Sequence, residues 1–199
     1  MARFLVIPVV VAGALFAAPV LAQQPSDRQP GSVQKPQTQA PTTLNSLFER
    51  LVKAKDSAEG RAIARQIEQR WMRSGSDAAN LLMTRVTQVA NGNDNATALE
   101  LLDHIIMLQP NWAEPYNKRA TILFMMDDYD GAMRDIRLTL AREPRHYGAL
   151  AGLGLMMQKL GNTKAAYAAY AKALDIHPHL DDLRAVVERM KPEVVGQDL

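Results

Sequence analysis

Residues 147–180 read YGALAGLGLMMQKLGNTKAAYAAYAKALDIHPHL, and this stretch decides the fold. Two runs of helical periodicity meet near Gly161, and Pro178 stops the second by lacking an amide donor and disfavouring helix in the residue before it. The same pattern stands 34 residues upstream in Ala113–His146 and again in Ala79–Trp112, with Pro144 and Pro110 in the place of Pro178. A fixed period of this length marks a helix-turn-helix unit that cannot bury its apolar face alone and must stack on its neighbours.

Set under one another, the three units share chemistry at fixed offsets. The fourth position is large (Leu82, Tyr116, Leu150), and the eighth shrinks from Val86 to Ala120 to Gly154. The twentieth is alanine each time (Ala98, Ala132, Ala166), with Leu102, Ile136 and Tyr170 at the twenty-fourth and Ile106, Leu140 and Leu174 at the twenty-eighth. Small residues at the eighth and twentieth positions let the two helices of a unit approach, and the large residue at the twenty-fourth fills the seam.

These residues resemble the tetratricopeptide repeat, over roughly Ala79 to Leu180. The third copy carries Leu150, Leu153, Gly154, Gly161, Ala166, Tyr170, Ala173 and Pro178 at the family's diagnostic places; the second carries Tyr116, Ala120, Asp128, Tyr129, Ala132 and Pro144. Its departures are Arg119 in place of leucine and Thr139 in place of alanine. The first copy has Leu82, Ala98 and Pro110, but Arg85 at the leucine position and Ile105 at the second small one. The resemblance implies an all-α, right-handed α-solenoid of antiparallel helix pairs, with units at 79–112, 113–146 and 147–180.

Counting back 34 from Ala79 lands on Asn45, which puts Phe48, Leu51 and Ala64 at the large, leucine and small offsets. Ser76 stands where the proline belongs and Glu68 where the seam aromatic belongs. A degenerate helix pair over 44–78 that caps the array is expected, because end units turn a polar face to water. At the other end Leu183, Val186, Val187 and Met190 mark a capping helix over 181–191, ended by Pro192, with 192–199 a flexible tail.

Residues 1–22 read as a secretory signal peptide: Arg3, an apolar run from Phe4 to Val20, then small residues around Val20-Leu21-Ala22. An uncleaved anchor helix is the other reading of the same run. Residues 23–43, rich in Gln and Pro with Val33 as the one branched apolar residue, read as a disordered tether with ends about 25 Å apart. An exported, periplasmic protein is the expectation, with no stable membrane insertion after cleavage. The chain has no cysteine, so neither a disulfide nor a cysteine-linked lipid is available to it. Without Arg3 the balance is 22 basic to 21 acidic side chains, and no Lys/Arg stripe argues for nucleic acid. Arg61, Arg65 and Arg70 make residues 44–73 locally basic, which reads as a solvated helix face or a docking surface for an anionic component.

No enzyme chemistry stands out. There is no cysteine nucleophile, no nucleophile elbow and no glycine-rich phosphate loop. His177, His179, Asp181 and Asp182 could hold a metal, but turn and cap chemistry explains them. The Asp127–Asp130 run lacks a calcium loop. The pairs Met125-Met126 and Met156-Met157 read as core or groove residues ahead of copper ligands. No cofactor is expected, and a metal-binding carrier is the least favoured reading.

In the resembled family the first helices line a concave groove. Carried over position by position, the groove is formed by Asn80, Met83, Thr87 and Ala90; then Glu114, Asn117, Thr121, Phe124 and Met125; then Gly148, Ala151, Leu155, Gln158 and Lys159. Only Asn117 and Lys159 match the polar residues with which some members clamp a terminal carboxylate. Met83, Phe124, Met125 and Leu155 suggest an apolar groove for a protein or peptide segment. The function expected is thus a non-catalytic interaction adaptor of the periplasm or cell envelope, with a self-associating structural component, a homo-oligomer, as the alternative.

Overall fold

The computed structural model describes residues 43–195, and within them every regular element is a helix. In chain order these are α1 (Leu44–Val52), α2 (Ser57–Trp71), α3 (Asp77–Asn91), α4 (Asn95–Leu108), α5 (Ala113–Met125), α6 (Tyr129–Arg142), α7 (Tyr147–Lys159), α8 (Thr163–Ile176) and α9 (Asp181–Val195). The expected leader at 1–22, nearly all of the expected tether and the last four residues lie outside the described residues.

The turn inside each repeat is one structure built three times. Asn93, Asp127 and Gly161 all have positive φ, at 60°, 61° and 74°, a conformation that asparagine, aspartate and glycine tolerate best. The next residue, Asp94, Asp128 or Asn162, accepts a bond from the amide of Thr97, Gly131 or Ala165 and caps the second helix. Its own amide donates back to the carbonyl of Val89, Leu123 or Met157. Side chains of different chemistry thus set one angle between α3 and α4, α5 and α6, α7 and α8.

The seams follow the small-large rule. Ala98, Ala120, Ala132 and Ala166 are fully buried, beside buried Leu102, Ile136 and Tyr170. At Gly154 the fit is tightest, since a Cβ there would lie 2.3 Å from the Tyr170 ring. The family departures in the second repeat replace apolar packing with a polar knot. The Arg119 guanidinium donates to both oxygens of buried Asp135 at 2.7 Å and to Asp103, and Thr139 bonds back to the Asp135 carbonyl. The Asp135 carboxylate, Arg119's strongest partner, raises the guanidinium's pKa still further.

The first helix pair is present, but it does not extend the stack. Leu47, Phe48, Leu51, Ile63, Ala64, Ile67 and Trp71 form one core with Tyr147, Leu150 and Ala173 of the third repeat. Trp71 stands at the repeat offset occupied by Ile105, Thr139 and Ala173, and an indole is too large for that seam. The connection also differs: Ser74-Gly75-Ser76 replaces the proline turn, with Gly75 at φ 83° and Ser76 capping α3. The stacking face of α3 is left open in consequence. Leu81 is 72% exposed, whereas the residues 34 and 68 positions on, Pro115 and Ala149, are fully buried.

At the C-terminal end α9 covers the third repeat, with Val187 and Met190 packed on Ala166 and Tyr170. Pro192 does not end this helix, which runs on to Val195. The cost of an interior proline is offset by burial of Val194, one residue short of the helix end.

Candidate partner-binding groove

Helices α3, α5 and α7 present the groove residues, and α2 lies across their N-terminal ends. Its path is fixed by contacts along its length. At its start a Cβ on Gly60 would collide with His179, in the turn before α9, at 2.8 Å. In its last turn Glu68 accepts a 2.8 Å bond from the Tyr147 hydroxyl at the head of α7. At its end the Trp71 carbonyl accepts the Trp112 indole N–H at 2.6 Å, just before α5. Met72 then packs on the core of the first repeat.

Histidines line this seat. The Trp71 ring stacks on His146, centroids 4.1 Å apart and 10° from parallel. His146 Nδ1 accepts the Ala149 amide, so the proton lies on Nε2, which donates to Glu114 at 3.0 Å. Tyr147 meets His177 edge-on, and burial together with the Glu68 bond pushes the Tyr147 hydroxyl far up. Burial, and then the neighbouring His179, pulls the His177 imidazole below its ordinary 6.5. His179 Nε2 lies 3.0 Å from the Ala54 carbonyl, and the His179 amide donates to His177 Nδ1. Turn, cap and hairpin contacts account for His177 and His179, and no group of three metal-ligating side chains of the His, Cys, Asp or Glu kind exists among the described residues.

The hairpin divides the expected groove. At the covered end, Glu114 is buried against His146 and Lys118, and Gly148 lies beside His146. Asn117 joins Glu68, Trp71, Met72 and Tyr147 around a cavity of about 330 Å³. Met83 requires a correction. It is 1% exposed, packed in the first repeat's core with Met72 over it, so it belongs to the core and not to the groove surface. Asn80 turns its Oδ1 to the Ser74 amide and hydroxyl, fixing the turn before α3.

The other end is open. Thr87 and Thr121 are exposed, their hydroxyls bonded back to Met83 and Asn117 carbonyls, and Ala151 is half-buried. Phe124 packs edge-on against Tyr129 at 5.5 Å with part of its ring in solvent. Met125 is 60% exposed and Leu155 42%. Gln158 is exposed and accepts the Tyr170 hydroxyl, and Lys159 is exposed beside it. Sequence reasoning did not reveal that Trp71, Glu68, His146 and Tyr147 would close one end. An oversized residue at a small seam offset was the available signal.

No family model matches the chain. A TPR repeat-containing protein of Rhizobium etli is 38% identical over 135 residues, which span 68% of this chain and 66% of that protein. The Sgt2 TPR domain from Aspergillus fumigatus superposes with a TM-score of 0.55 at 18% identity, over 62% of this chain and 83% of its own. The MamA protein does so with a TM-score of 0.54 at 18% identity, over 77% and 81%. With three copies of one turn and one seam, these likenesses show an all-α repeat solenoid of the tetratricopeptide-repeat kind.

Proposed function

We propose that the protein is a non-catalytic adaptor that acts after export, in the periplasm or cell envelope, and holds a partner segment in the open half of its groove. The observation that carries the reading is the exposure of Met125 and Leu155 next to half-buried Phe124, on successive inner helices of a repeat fold. Grouped apolar side chains on a concave surface favour an apolar ligand face. The signal-like residues 1–22 support export. Photo-crosslinking in cells from position 124, compared with Arg134 on α6, tests it. A discrete partner from 124 alone supports the adaptor, and equal products from both positions refute it. Signal processing is read separately, from the N-terminus of the mature protein.

A second reading, self-association, draws on the open α3 face, where Leu81 and, on α4, Met107 are 72% and 70% exposed. Mass in solution that rises with concentration, and that Leu81→Glu abolishes, would favour it.

A further inference from the structure

We infer that the cleft between α2 and α3 is a binding site for an acidic, extended peptide segment of a protein partner. One wall is Arg65 and Gln69 of α2 with Arg73 just past its end, the other is Asn80 and Thr84 of α3, and Met72 and Met83 also line the cavity of about 610 Å³.

The lining carries two cations against one anion. Arg65 and Arg73 are both exposed and, among the described residues, neither forms an ion pair with a carboxylate. The one acid in the lining, Glu68, accepts the Tyr147 hydroxyl. Asn80 commits its Oδ1 to Ser74, which leaves Nδ2 as the end able to donate. Gln69 adds a neutral amide donor, while the Thr84 hydroxyl is donated to the Asn80 carbonyl. Two planar guanidiniums and the Asn80 and Gln69 amides match carboxylates and peptide carbonyls.

The spacing selects the ligand further. The eight residues from Arg65 to Arg73 run along α2 to Trp71 and two residues past its end, a span of about 12 Å at helical rise. An extended chain advances about 3.3 Å per residue, so carboxylates four residues apart, on the same side of the chain, meet both arginines. This deepens the adaptor reading by naming the chemistry of one partner segment, and it uses residues apart from the apolar half of the groove.

The test is fluorescence anisotropy on the full chain with a labelled peptide bearing two glutamates four residues apart in a Ser/Ala background, and with its diglutamine twin. Binding of the glutamate peptide alone is expected, weakened about tenfold or more by Arg65→Gln or Arg73→Gln and unaffected by Phe124→Ala. Equal binding of the twin, or undiminished binding to the double variant with native helicity, would overturn the inference. So would failure to bind peptide while phosphatidylglycerol vesicles are captured through the same arginines. Loss of binding in Phe124→Ala would move the peptide to the open half, sinking the cleft while leaving the adaptor reading intact.

Discussion

The indole of Trp71 lies parallel to the imidazole of His146 at 4.1 Å, and the same imidazole caps α7 through Nδ1 and holds Glu114 through Nε2. One side chain of the hairpin is thus tied to the head of the third repeat and to the covered end of the groove. Trp71→Ala should cost about 3–5 kcal/mol of hairpin docking. Hydrogen exchange should quicken across α1 and α2 and stay slow in α5 and α6. Uniform loss of protection would mean that the hairpin and array form one cooperative unit.

The tightest seam gives an overpacking prediction. A methyl group at 154 would meet the Tyr170 ring, so Gly154→Ala should lose about 1–3 kcal/mol in urea denaturation despite alanine's better helix propensity. Adding Tyr170→Leu should recover part of that loss. A stabilised Gly154→Ala would show that α7 and α8 are further apart.

The polar knot of the second repeat allows a double-mutant cycle. Arg119→Leu restores the family's usual residue yet strands the Asp135 carboxylate, which is 3% exposed. A loss of about 2–3 kcal/mol is expected, at or below the low end for a broken buried pair because Arg119 is partly solvated. Asp135→Asn in the same chain should return much of it, and strict additivity would count against coupling.

Repeat number, register and seam residues were legible in the sequence because each follows from packing inside one 34-residue unit. The seat of the hairpin was not, because Trp71, Glu68 and Ser76 register only as failures to match. Where an oversized indole goes depends on which distant surface can stack on it, and His146 is 75 positions away. The groove was legible as a set of positions; its division, and the loss of Met83 to the core, come from that seat.

Stability should depend on pH through His177. Its folded pKa lies below 6.5, so the unfolded chain takes up the proton first. Its contribution is complete above 6.5 and is lost as pH falls below that value toward the folded pKa. Thermal melts on the acid side should therefore fall more steeply for the native chain than for His177→Gln. Parallel slopes would remove His177 from the account.

The seat of the hairpin decides how the groove is divided, and the absence of native cysteine makes that seat directly measurable. The Asn45 side chain accepts a 3.0 Å bond from Arg145, whose guanidinium also covers Phe48. In the double variant Asn45→Cys/Arg145→Cys, a short bifunctional thiol reagent should join the two positions within one chain, seen as a single linked peptide by mass spectrometry. A chain of native helicity that does not link these positions would contradict the seat, and with it the division of the groove.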